Sequence, residues 1–161
     1  MAVLANTILD ACIAAIAVDH TATGGAYDLS TGAVVEGVYK FPPGAQVAMV
    51  AVSFPSINPD AAIRNLATYG RTMRVEVSMW ASSADDPTVR RTAIMALAND
   101  VSTAFENALH DVSTPGALVG ENIDEVVCDL VTLDGDEQDL ATGYGYGLMV
   151  VTITYRQARG F

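Results

Sequence analysis

The sequence predicts an α+β fold: an antiparallel or mixed β-sheet, with an N-terminal helix and one long helix packed on one face, plus a long C-terminal hairpin. Three observations carry this. Met73, Val75, Val77 and Met79 alternate with Arg74, Glu76, Ser78 and Trp80, the period of a strand with two unlike faces. Asp86 and Pro87 open a segment whose apolar residues recur at helical steps. Two β-branched-rich stretches then close the chain, joined by the polar DGDEQDLATG.

Each element has its own local reason. Ile8, Leu9, Cys12, Ile13 and Ile16 follow Thr7, a candidate N-cap, and predict a first helix over 5–19 that Gly24 and Gly25 stop. Ala33 to Phe41 alternates weakly and ends at Pro42 and Pro43, which have no N–H for a ladder, so it reads as a strand with a proline terminator. Gln46 to Phe54 is a nearly unbroken apolar run, expected of a central strand covered on both faces. Ser56 to Tyr69 stays open between a helical turn and irregular chain, because Asn58, Pro59 and Asp60 precede AAIRNLATY.

Asp86 is a natural N-cap, and Pro87 suits the first helical position, where its missing N–H had no intrahelical partner. The long helix therefore spans 87–110, with Ile94, Leu97, Val101, Phe105 and Ala108 as its core stripe and Asn99, Asp100, Thr103 and Glu106 facing water. Ile123 to Leu133 and Tyr144 to Arg156 read as the two strands of the hairpin. At roughly 3.3 Å per residue the last strand reaches about 43 Å, so the hairpin is expected to overhang the core and grip a neighbour.

The 161 residues fit a single α+β domain spanning 1–161. A hydrophobic fraction of 51% and a mean hydropathy of +0.31 exceed what one small core consumes, so part of the apolar surface is expected to meet protein. Eight Lys and Arg against nineteen Asp and Glu give a net charge of -11, with the cations scattered; tight nucleic-acid binding, which needs cations against phosphates, is excluded. The apolar N-terminal run has no basic flank and is interrupted by Asp10, so neither a signal peptide nor a membrane span is expected and the chain reads as soluble. Cys12 and Cys128 read as buried thiols.

Candidate chemistry is sparse. His20 and His110 close the two helices, where the dipole favours a cation for structural reasons alone. No G-x-S-x-G, H-E-x-x-H or zinc-type cysteine pairing occurs. The acidic stretch Asp134, Asp136, Glu137 and Asp139 fails as a calcium loop, since Gln138, Asp139 and Gly145 stand at positions five, six and twelve. It reads as a solvated hairpin tip or a functional negative surface. Gly143, Gly145 and Gly147 alternate with Tyr144 and Tyr146 but lead into a strand, so they form no phosphate cradle; they suit rings covering glycine backbone or packing on a neighbour. Trp80, Tyr144 and Tyr146 are the candidate oligomer-interface residues, against ordinary core as the alternative.

RVEVSMWA, the Asp-Asp-Pro start of the long helix with its Ile94, Leu97, Val101 and Phe105 stripe, and the closing GYGLMVVTITYR together resemble the tail terminator, or tail completion, family of long-tailed phages and related viruses. The resemblance covers about half the chain directly, from Arg71 to Tyr155. It implies a virion subunit, assembled in the host cytoplasm. Copies would form a six-membered ring that caps the tail tube, ends its polymerisation and docks to head or neck proteins. It implies no catalytic residue, no cofactor and no metal. DNA would pass through such a ring, and the acidic residues 134–139 are candidates for its lumen.

Three alternatives remain. A head-closure or tail-tube subunit would share the strand-rich layout. A small α+β enzyme would use a strand carboxylate such as Glu76 or Asp129, although such groups are more often solvated or paired with an arginine, here Arg74 or Arg156. A ligand-binding module would enclose an apolar cavity between sheet and helix.

Overall fold

The computed structural model describes residues 4–37, 47–53, 55–64, 68–83, 86–110, 123–134 and 144–158. Helix α1 (Leu4–Ile16) is followed by a short 3-10 turn (His20–Thr23) and three strands, β1 (Val34–Glu36), β2 (Ala48–Val52) and β3 (Ser56–Arg64). Strand β4 (Thr68–Ser82), helix α2 (Pro87–His110), and strands β5 (Ile123–Asp134) and β6 (Tyr144–Ala158) complete it. The six strands make one mixed sheet in the order β1-β2-β4-β6-β5, with β3 also paired to β4. Only the β1–β2 pairing is parallel among the described strands. The predicted α+β class, the N-terminal helix and the long helix are all present, and the two C-terminal strands pair antiparallel as a hairpin requires.

Helix α2 has the predicted bounds because its ends are written locally. Asp86 Oδ1 accepts from the Thr88 and Val89 amides at 2.8 and 3.2 Å, satisfying two of the donors that a helix start leaves free. Ile94, Leu97, Val101, Phe105 and Ala108 are buried as predicted, joined by Ala98, Ala104 and Leu109. They pack on Met73, Val75, Val77 and Met79 of β4, each 0% exposed, and on Met149, Val151 and Ile153 of β6. Each of the larger side chains among them contributes about 1.5–3 kcal/mol on leaving water.

The first helix starts where predicted but differs in its cap and its end. It begins before Thr7, which sits inside it as an exposed residue and caps nothing, and it stops at Ile16. At the stop the Ile16 carbonyl oxygen accepts from the Val18 amide at 2.8 Å and lies 2.9 Å from His20 Nε2, so it is satisfied without another helical turn. Asp19 then caps the 3-10 turn by accepting from the Thr21 amide at 3.0 Å. Histidine at a helix end thus serves the backbone, as expected for His20; the His110 side chain lies outside the described residues.

One residue expected in water is deep in the fold. Asp100 is 3% exposed, and its carboxylate accepts from the Ala26 amide at 2.9 and 3.2 Å and the Tyr27 amide at 2.9 Å. The segment after the 3-10 turn folds over this flank of α2, and Tyr27 fastens it again by donating to the Ala93 carbonyl at 3.2 Å. Gly25 is required there, since a Cβ would stand 2.7 Å from Asp100 Oδ1. Asn99, Thr103 and Glu106 do face water.

Strand β2 is buried at every position, but it lies one place in from β1, and β4 takes the centre. Beyond it the open stretch Ser56 to Tyr69 resolves: Ser56–Arg64 is strand, running along β4 from Ser56 opposite Arg74 to Arg64 opposite Tyr69. β2 and β3 act as one strand interrupted near Pro55. Ser53 bridges the gap, its amide donating to the Glu76 carbonyl and its hydroxyl accepting from the Glu76 amide, both at 2.9 Å. Strand Ala33 to Phe41 is shorter than predicted at its described end, Val34–Glu36; residues 38–46, with Pro42 and Pro43, lie outside the described residues. Nor does the last strand overhang: all of β6 from Tyr144 to Ala158 stands opposite β4.

The thiols divide. Cys12 is buried in α1, whereas Cys128 of β5 is half-buried against the same core, less enclosed than predicted. Burial, and secondarily the charge Cys128 would carry, pushes the Cys12 thiol from 9.0 up to about 12. Burial, then Glu106 and Asp129, pushes Cys128 up to about 11. Both folded values are raised, so their contribution to stability is complete below pH 9 and is lost as pH climbs through 11 and 12. At pH 8 the folded protein should react with a disulfide reagent at least about 100-fold more slowly than after urea unfolding, because the thiolate is the nucleophile. Equal rates in the two states would contradict this placement.

Candidate assembly surface

Both helices lie on one face of the sheet: α2 packs across β4, β5 and β6, and α1 against α2. In a strand, successive side chains point to opposite faces, so the residues between the core positions of β4 and β6 must lie on the open face, the one that neither α1 nor α2 covers. Those residues are Ser78, Trp80 and Ser82 in β4, facing Leu148, Tyr146 and Tyr144 in β6. From β2, Met49 lies opposite Trp80 and Ala51 opposite Ser78. A second apolar cluster results, built of Met49, Ala51 and Trp80 with Val35, Tyr144 and Tyr146 packed against it.

The three aromatic residues singled out from sequence therefore converge. Trp80 and Tyr146 meet with ring centroids 5.5 Å apart and planes tilted by 50°, an arrangement that suits their quadrupoles. Tyr146 Oη is 3.5 Å from Ser78 Oγ. Their roles differ: Trp80 is only 2% exposed and forms the floor, while the half-buried Tyr144 and Tyr146 are what the cluster presents. The indole Nε1 is buried without a hydrogen-bond partner among the described residues, at a cost of about 1–3 kcal/mol.

The alternation of glycine and tyrosine now has a physical cause. Gly145 and Gly147 point toward α2, where a Cβ would stand 2.9 Å from Ile94 Cγ1 and 2.6 Å from Ile94 Cγ2 respectively. Ile94 fills the space above the glycines, so the helix, and not the expected aromatic rings, covers their backbone. The tyrosines are thereby left to the open face.

Asp134 ends β5 opposite Tyr146, at the aromatic end of the sheet. Asp136, Glu137 and Asp139 lie outside the described residues, as does the Asp134 side chain. Farther along the open face the character is polar. Arg74 and Glu76 form an exposed pair at 3.5 Å, as expected for a strand carboxylate, and such a pair contributes about 0–1 kcal/mol. Arg156 binds Asp124 through Nη2 at 2.8 Å and Nε at 2.9 Å, not Asp129. Among the described residues no three His, Cys, Asp or Glu gather as a metal would require, and no helix is long and apolar enough to cross a membrane.

Sequence reasoning missed Asp100 and the facing of Gly145 and Gly147, whose neighbours come from distant chain. The alternation GYGYG was the available signal for the glycines, since two small residues on one face leave room for something from outside the strand. No protein-family model matches the chain, and a search of the curated proteins finds no match.

Proposed function

We propose that this chain is a non-enzymatic virion subunit. Its copies close into a ring that caps the tail tube, ends its polymerisation and docks the tail to the head or neck. The observation that carries the reading is the division of the sheet: one face is roofed by α1 and α2, while the other, which neither of these helices covers, displays the half-buried Tyr144 and Tyr146 on a Trp80 floor. A half-buried pair of tyrosines on a rigid sheet is the kind of surface that anchors interfaces, where aromatic hot spots each carry about 2 kcal/mol or more. The resemblance of RVEVSMWA, the Asp-Asp-Pro helix start and GYGLMVVTITYR to tail terminators supports the ring and its place in the virion. A net charge of -11 supports passage of DNA through the ring, because like charge keeps the polyanion off the wall.

Light scattering on the purified protein tests this. One closed species of fixed mass, several times the 16.8 kDa chain, is expected. Tyr144→Asp with Tyr146→Asp should return it to the mass of one chain while circular dichroism stays unchanged. Growth without limit would favour a tail-tube subunit, since a heterologous contact that does not close gives filaments. A wild-type monomer at high concentration would end the reading altogether.

A further inference from the structure

Three strands leave an edge unpaired among the described residues, and two of those edges are blunted. β1 is three residues long, and β3 contains Pro59, which offers no N–H. Short strands and edge prolines are standard protections against a strand being added. β5 has neither: it is 12 residues long, contains no proline or lysine, and pairs only with β6 among the described strands. It also holds three of the large exposed apolar residues, Val127 at 37%, Leu130 at 36% and Val131 at 60%.

Two register shifts, at Ile123/Glu125 and Leu130/Thr132, bracket a regular stretch from Glu125 to Leu130. Within it Val126, Cys128 and Leu130 stand opposite Ile153, Val151 and Met149 and so face the helices. Glu125, Val127 and Asp129 stand opposite Thr154, Thr152 and Val150 and so lie on the open face. Arg156 already neutralises Asp124. Glu125 and Asp129 are exposed, without an ion-pair partner among the described residues, and no cation occurs in 123–134.

We propose that Glu125–Leu130 is a docking edge for an extended segment of another protein, one carrying two cations four residues apart with uncharged residues between. The spacing follows from the register. A strand laid along β5 sets one residue against Glu125 and another, four along on the same face, against Asp129; the residues between meet Val126, Val127 and Cys128. Backbone bonds would hold the segment and side chains would select it. A second copy of β5 is a poor occupant, because pairing about the middle of the stretch with sheet faces aligned sets Glu125 against Asp129 twice, and directly opposed like charges oppose pairing. Ring closure is not needed for this; a single copy offers the same edge.

The test uses the full chain and the peptide Thr-Lys-Val-Thr-Val-Lys-Thr, with two controls: one with its lysines three residues apart, hence on opposite faces, and one with proline at the centre. Calorimetry should show the first peptide binding at least about 10-fold tighter than either control. At saturation, amide exchange across 125–130 should slow by at least about 10-fold, as added ladder bonds require. Glu125→Lys with Asp129→Lys should shift preference to the peptide with glutamate in place of lysine. Equal binding of all three peptides would reduce the effect to bulk charge and overturn the proposal, as would no binding at millimolar peptide or unchanged exchange in β5. Light scattering on the same samples reads the ring separately.

Discussion

Asp100→Ala is expected to destabilise the folded chain by about 3 kcal/mol, among the largest losses from any single truncation of a polar residue here. The carboxylate is 3% exposed and accepts two backbone amides, Ala26 and Tyr27. Removing it takes the acceptor from both part-buried donors and leaves a void where the carboxylate was enclosed, and hydrogen bonds to a charged group are worth about 1.5–3 kcal/mol. The loop cannot simply lift away. Its other fastenings, Tyr27 Oη to the Ala93 carbonyl and the Tyr27 carbonyl receiving the His20 amide, tie it to α2 and to the turn that ends α1. Asp100→Asn keeps one acceptor oxygen and should lose about half as much. Urea unfolding of the two variants measures the difference, and amide exchange at 26 and 27 should accelerate in both. A loss under about 0.5 kcal/mol for Asp100→Ala would mean that the loop holds without this anchor.

Gly147→Ala is expected to cost about 2 kcal/mol, within the usual range for one methyl group too many in a packed core. The new Cβ would stand 2.6 Å from Ile94 Cγ2, with Met79 Cε 3.5 Å and Leu130 Cδ1 3.6 Å away, so Ile94 is the atom group that must yield. Ile94 is 1% exposed, which leaves it little room to turn. Ile94→Ala alone should cost about 3 kcal/mol by opening a cavity. Together the two changes relieve each other, one methyl group filling part of the space the other vacates. The double variant should therefore be at least about 1 kcal/mol more stable than the sum of the single losses, a coupling that a double-mutant cycle reads directly. Simple additivity would show that helix and glycine strand do not touch as described. Assembly supplies a further check, because Tyr146, beside Gly147, points the other way. A Gly147→Ala variant that still folds should keep its assembled mass.

These expectations turn on contacts that a one-dimensional reading handles unequally. Helix α2 was legible to the residue because its start is an Asp-Pro cap and its stripe repeats every three or four positions, both local properties. β4 was legible for the same kind of reason, with core residues at every second place. β3 was not, since Asn58, Pro59 and Ala61 carry no strand pattern; pairing with β4 makes it a strand in spite of them. Of the candidate surface, the three aromatics were found but not their division of labour. Trp80 is covered by its own chain and only the tyrosines reach outward.

By itself the sequence determined the class of fold, the bounds of the long helix, the alternating strands, and an acidic, apolar-rich chain whose aromatics sit near strand ends. Periodicity and capping act over a few residues, so they survive without knowledge of what lies across the fold. Only the tertiary structure decided that Asp100 is buried, that Gly145 and Gly147 look toward Ile94, and that Tyr144 and Tyr146 lie on the side of the sheet away from α1 and α2. Each of those depends on a neighbour brought from far along the chain. A side chain's position on its own element says which way it points, and the packing of the rest says what it meets there.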